Sequence, residues 1–95
     1  MSDPSLLVLA SLAAGNKHGY AMMEDIEHFA RVRLGPGTLY GAITRLEERG
    51  WIRRVDSQDR RQPYAITAAG REQLHRQLGN LDRVVRVGLR RLRNA

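Results

Sequence analysis

The chain has no cysteine, one lysine, one tryptophan, one phenylalanine and only three prolines in 95 residues. Without cysteine there is neither a disulfide framework nor a thiolate zinc site, so a reducing cytoplasm is the expected setting. His18, His28 and His75 do not have the spacing of metal ligands, and neither a metal nor a cofactor is expected. The apolar run from Leu6 to Ala14 is only nine residues long, against the roughly 20 that span a bilayer. No basic segment precedes it, so it reads neither as a leader nor as a membrane anchor. The length suits one small core.

Catalytic signatures are also missing. There is no G-x-x-x-x-G-K-[ST] phosphate loop, and "GPGTLYG" (residues 35–41) has the wrong spacing for a dinucleotide site and follows helical sequence rather than a strand. The neighbouring carboxylates Glu24/Asp25 and Glu47/Glu48 point around a helix instead of facing each other across a cleft. An enzyme is not expected.

Arginine is abundant. It outnumbers lysine 15 to 1, and the formal net charge is +6. Residues 1–44 carry three cations and four acids, a net of −1, whereas residues 45–95 carry 13 arginines and six acids, a net of +7. A GC-rich genome accounts for the choice of arginine over lysine but not for this asymmetry, which produces a field attractive to polyanions.

The spacing predicts three short helices. Asp3 caps the first, with Pro4 in its opening turn and Leu6, Leu7, Leu9, Ala10 and Ala13 on its apolar face, until Gly15-Asn16 stops it. In the second, Tyr20, Met23 and Ile26, with Met22 and Phe29 or Ala30, form the inner face, so the Tyr20 ring is expected in the core. Gly35-Pro36 opens the third, whose inner face is Leu39, Ala42, Ile43 and Leu46 and whose end is Gly50. From Trp51 the period changes: "WIRRV" and "PYAIT" read as two strands around the polar "DSQDRRQ", a hairpin with a basic tip.

Thr67 then caps a last helix with Gly70 tolerated in its first turn. At about 26 residues and ~1.5 Å per residue it would be about 39 Å long. A globule of this size measures about 32 Å across, so the helix must overhang. Leu74, Leu78, Leu81, Val85, Gly88 and Leu92 follow a 4-3-4-3-4 spacing, widened by Val84, Val87 and Leu89; a second copy of the chain is the simplest cover for that stripe. The expected fold is mainly α with a two-stranded β-wing: a winged helix-turn-helix over residues 1–67 and a long C-terminal dimerisation helix over residues 68–95.

On the third helix, Thr38, Gly41, Arg45 and Glu48 face outward, flanked by Tyr40, Thr44 and Arg49. Gly37 and Gly41 would let a phosphate backbone come close. Arg45 can read guanine in bidentate fashion, Thr38 and Thr44 can bond phosphate or base edges, and the Tyr40 hydroxyl can reach a phosphate. An ordinary solvated face with Arg45 paired to Glu48 explains the same residues equally well. In the wing, Arg53, Arg54, Arg60 and Arg61 concentrate positive charge, which favours an anionic partner. His18 either caps the second helix or touches a phosphate, and Lys17 is either a phosphate ligand or solvated.

"HGYAMMEDIE", "GPGTLYGAITRLEERGWI" and "DRRQPYAITAAGREQL" resemble, in order and spacing, the three signature blocks of PadR-like transcriptional regulators, over roughly residues 5–78. The resemblance implies a prokaryotic homodimeric repressor that binds a pseudo-palindromic double-stranded DNA operator, its C-terminal helix meeting the partner's first helix. Carried over by motif, Thr38, Tyr40, Arg45, Arg60 and Arg61 fall at DNA-contacting positions, and His18, Gly19 and Tyr20 match the family's "HGY". Gly35 and Gly41 stand where the family often has Ser and Pro, and Ala65 where it often has a larger residue. Leu6, Leu9, Leu74, Leu78, Leu81, Val85, Leu89 and Leu92 are the expected dimerisation residues. Two alternatives stay open: a small-molecule effector in a dimer cavity lined by Leu6, Leu9, Val85 and Leu89, and a protein-interaction module. The last helix offers no aromatic residue on which a flat effector could stack.

Overall fold

In the computed structural model, which describes residues 3–94, the order is α1 (Pro4–Ala13), β1 (Lys17–His18), α2 (Gly19–Ala30), α3 (Pro36–Glu48), β2 (Ile52–Arg54), β3 (Pro63–Ile66) and α4 (Ala68–Arg93). The helices and the wing fall where the residue periods place them. The strand β1 was not expected: it pairs antiparallel with β3, Lys17 opposite Tyr64 and His18 opposite Pro63, so the sheet has three strands in the order β1-β3-β2. Two residues are too few for a side-chain period to show in sequence.

The core is organised around α1. Asp3 caps it, the carboxylate accepting from the Ser5 amide at 2.9 Å, with Pro4 in the opening turn. Leu6, Leu7, Val8, Leu9 and Leu12 are all buried and Ala10 and Ala13 partly so, so this helix is enclosed around most of its circumference rather than along one stripe. It packs on α2, α3, β3 and the first turns of α4. Buried Ser11 lies on the same helix, and its polar groups find partners: its hydroxyl donates to Asp25 Oδ2 at 2.7 Å, and its carbonyl accepts from Lys17 Nζ at 2.6 Å. Lys17 also donates to the Gly15 carbonyl at 3.3 Å and lies 4.0 Å from Asp25.

The inner face of α2 is Gly19, Met22 and Ile26, with Met23 and Ala30 partly buried against the core, so it keeps most of the expected residues but has Gly19 in place of Tyr20. Tyr20 is 53% exposed and Phe29 47%, which corrects the placement of the Tyr20 ring in the core. Glycine carries no hydrophobic weight in a periodicity, so the approach of the third helix to Gly19 was invisible. Arg31 ends α2 in the left-handed conformation, φ 57°, its amide closing onto the Glu27 carbonyl at 3.0 Å.

Between α3 and α4 the chain is tied at one corner. Gly50 turns with φ 74°, the Thr67 hydroxyl donates to the Gly50 carbonyl at 2.7 Å and accepts from the Gly70 amide at 3.0 Å, and the Thr67 amide donates to the Trp51 carbonyl at 3.0 Å. Gly70 is buried in this corner, and a Cβ there would overlap the Trp51 carbonyl oxygen and stand 2.9 Å from Ile66 Cγ1. Glycine is therefore required at position 70, not merely tolerated. Beyond Leu74, which belongs to the core, α4 leaves the body of a molecule measuring 56 × 26 × 20 Å.

These contacts assign opposite signs to two glycine substitutions in one helix. Gly70→Ala meets backbone and should destabilise by about 1–3 kcal/mol, as overpacking does. At Gly79 a Cβ would meet nothing within 4 Å, so Gly79→Ala should stabilise by about 0.5–1 kcal/mol. Thermal and urea denaturation of both variants checks this; an unchanged melting temperature for Gly70→Ala would mean that the corner is looser than described.

Candidate nucleic-acid interface

The α3 helix presents two unlike faces. Leu39, Ala42, Ile43 and Leu46 are buried against α1, while Thr38, Tyr40, Thr44, Arg45, Glu48 and Arg49 are exposed. Its N-cap, Gly35, makes no side-chain hydrogen bond to the first turn. Added Cβ atoms at Gly37 would meet nothing, and at Gly41 only the Arg45 guanidinium at 3.5 Å, an ordinary contact. The fold therefore does not demand glycine at either place. Their small size matters only to something outside the protomer that approaches α3 closely.

Several exposed side chains are already engaged. The Thr44 hydroxyl donates to the Tyr40 carbonyl at 2.9 Å. Arg49 lies over the Trp51 ring, 5.1 Å from its centroid. Arg54 is bound to Glu47 at 3.1 Å, so the base of the wing is partly neutralised. Among the described residues, the side chains of Arg45, Arg53 and Arg60 form no ion pair or hydrogen bond, and the alternative of an Arg45–Glu48 pair is not realised.

The wing loop is braced by Gln62, whose amide donates to the carbonyls of Val55 at 3.0 Å and Pro63 at 2.8 Å. That brace holds Arg60 and Arg61 at the tip, on the side of the molecule reached by Tyr40 and His18. These residues, with Tyr20 and Tyr64, line one shallow hollow between α2, α3 and the wing. Tyr40 crosses the start of α2 so closely that a Cβ at Gly19 would overlap its hydroxyl. Burial pushes the Tyr64 hydroxyl above its ordinary pKa, Glu47 and Tyr40 adding to the effect and Arg54 opposing it, so the group is a proton donor at neutral pH. Tyr20, Tyr64 and Gln62 were not among the expected site residues; the exposure of Tyr20 and the role of Gln62 leave no local sequence signal.

Two sets of expected site residues lie elsewhere. Lys17 is turned inward: its side chain is 20% exposed, its ammonium donates to the carbonyls of Ser11 and Gly15, and it lies 4.0 Å from Asp25. Leu6, Leu9 and Leu74 belong to the protomer's own core, and Leu9, fully enclosed, has no surface to offer a partner chain or an effector. By contrast Leu78, Leu81, Val85, Leu89 and Leu92 are all exposed, Leu92 to 76%.

Comparison with known proteins agrees with this architecture. The family model described as "Transcriptional regulator PadR-like family" matches residues 8–76. A transcriptional regulator from Clostridium thermocellum superposes with a TM-score of 0.79 at 25% identity, over 88% of this chain and 84% of that one. A PadR family transcription regulator from Clostridium difficile gives a TM-score of 0.79 at 21% identity, over 90% of this chain and 94% of the other, a likeness of fold. A 37.1 kDa uncharacterized protein of transposon TN4556 from Streptomyces fradiae is 43% identical over 83 residues, 87% of this chain; the chain spans about a quarter (24%) of that relative's length. No helix among the described residues is long and apolar enough to cross a membrane. With the family model covering most of the fold and both faces of α3, the chain belongs to the PadR-like family of transcriptional regulators, a family of regulators and not of enzymes.

Proposed function

We propose that the protein is a homodimeric, sequence-specific repressor that occupies a pseudo-palindromic duplex DNA site in the cytoplasm. The observation that carries this reading is the outward face of α3, where glycine stands at two positions the fold leaves open and the Arg45 side chain is uncommitted. A helix placed in the major groove needs close backbone approach and a free bidentate donor. The wing supplies Arg53, Arg60 and Arg61 for flanking phosphates, while on α2 the carboxylates of Asp25 and Glu27 are paired with Lys17 and Arg33.

The dimer follows from α4. Its outer half exposes Leu78, Leu81, Val84, Val85, Leu89 and Leu92 in one stripe, and an apolar patch of that extent in water calls for cover. Two copies joined there would hold their α3 helices about one DNA turn apart, roughly 34 Å. An effector, if one acts, would sit between α4 helices, since Leu6 and Leu9 are occupied by the core. A protein-interaction module is the weaker reading, because interface cores are depleted in charge whereas this face is rich in arginine.

Fluorescence anisotropy against a duplex from upstream of the coding sequence, and against a scrambled one, tests the reading across a salt series. Six wing arginines, three per protomer, should give log K a slope of about −5 against log salt, with the cognate duplex favoured at least ~1000-fold. Absence of binding to any duplex would instead direct attention to a protein partner. Arg45→Ala should reduce the preference for the cognate site by about 1–3 kcal/mol. Lys17→Met should lower the melting temperature while leaving the salt slope as it is, since its donors face inward. Leu81→Glu should yield a monomer by light scattering and lose operator binding in the same preparation; a dimer that survives this change would place the interface off the α4 stripe.

A further inference from the structure

His18 has two hydrogen-bonding contacts that one imidazole cannot satisfy together. As N-cap of α2 its Nδ1 accepts from the Ala21 amide at 3.3 Å, and its Nε2 lies 3.3 Å from Arg61 Nη1. Arginine has only donors, and the Ala21 amide is also a donor. Accepting from both would require an imidazole with no proton on either nitrogen. One of the two contacts is therefore donor against donor.

The cap decides which. The Ala21 amide sits in the first turn of α2, partly buried, and has no helical carbonyl to reach; without His18 it is an orphan. Arg61 is exposed and can turn to water. The lone pair of Nδ1 thus goes to Ala21, the proton goes to Nε2, and Nε2–H and the Arg61 guanidinium converge on the same hollow as two donors with no acceptor between them. The Tyr40 hydroxyl lines that hollow, Arg60 adds a second positive charge, and no carboxylate lines it. Two converging donors, one of them the Arg61 guanidinium, beside the second guanidinium of Arg60 form the complement of an anionic oxygen.

We propose that His18 and Arg61 form a clamp for a single phosphate group, its oxygen accepting from His18 Nε2–H and from the Arg61 guanidinium together. This rests on the DNA-binding reading for the source of the phosphate, which is one group of the duplex backbone. The clamp assigns His18 two simultaneous tasks: one ring nitrogen starts α2 and the other holds the phosphate. It also ties the wing tip to the entry of α2 only when the anion is present, because without it Arg61 and His18 face each other as like donors.

Asparagine separates the two tasks, since it caps helices as well as any residue but cannot reach with an Nε2 donor. His18→Asn should retain the melting temperature and bind the operator about tenfold more weakly with an unchanged salt slope, because a neutral donor releases no counterion. Arg61→Gln should lose a similar factor and flatten the slope by about one unit per phosphate released. The double variant should lose clearly less than the product of the two factors, as expected where both side chains hold one group; a loss equal to the product overturns the shared phosphate. Nitrogen-15 NMR of the His18 ring in the free protein should show the Nε2–H tautomer, and the Nδ1–H tautomer would overturn the clamp outright. Titration with inorganic phosphate, at ionic strength matched with chloride, separates this proposal from the DNA reading. A His18 ring shift that is present in the wild type and absent in Arg61→Gln supports the clamp even if no duplex binds. A ring that responds to inorganic phosphate but not to a bound operator overturns the backbone as its source.

Discussion

A short helix buried around most of its circumference is the constraint from which the rest of the molecule follows. With Leu6 to Leu9 and Leu12 all inside and only Pro4, Ser5, Ala10 and Ala13 partly exposed, α1 keeps little solvated surface, and α2, α3, β3 and the start of α4 each take a share of the rest. A chain of this size has no second layer with which to do this. The fully buried polar side chain of Ser11 is then costly unless matched, and burying an unpartnered hydroxyl costs about 1–3 kcal/mol. Asp25 and Lys17 supply the match from α2 and from the strand before it, so the same group of contacts that solvates the interior of α1 also fixes how α2 enters.

That arrangement determines what remains for function. Because α1 occupies the inner face of α3, the outer face of α3 is left bare, and because Gly70 seats α4 against the Trp51 carbonyl, the long helix leaves the body in a single direction. Two exposed surfaces of opposite character result: a basic one made by α3 and the wing, and an apolar one along α4. A regulator that binds a two-fold DNA site needs one of each, the first to meet phosphate and bases and the second to set the distance between two copies.

The sequence was most legible where a period or a cap operates. The inner face of α3, the Asp3 and Thr67 caps and the 26-residue extent of α4 all follow from residue spacing. It was least legible where two segments distant in the chain meet through something small. Gly19 beneath Tyr40, Gly70 on the Trp51 carbonyl and the two-residue pairing of Lys17–His18 with β3 depend on contacts whose sequence separation ranges from about 20 to nearly 50 residues, and neither glycine has a side chain to count in an apolar pattern. The same blindness displaced Lys17 from its real position: a cation next to a helix start reads as a phosphate ligand until the carbonyls it reaches are visible. Leu74 reads as part of a dimer seam because a heptad does not record where the protomer's core ends.

His18 illustrates why a residue in such a place carries more than one role. A helix start needs an acceptor, which Ser, Thr, Asp or Asn would provide at lower cost than histidine. Histidine is distinguished by a second nitrogen that, once the first accepts, is obliged to donate, and it projects that donor several ångströms beyond the cap toward the wing. A carboxylate at the same position would pair with Arg61 rather than join it as a donor, and a hydroxyl would not reach. On the proposed clamp, the choice of imidazole follows from its far nitrogen, which Arg60 and Arg61 surround with charge that suits an anion.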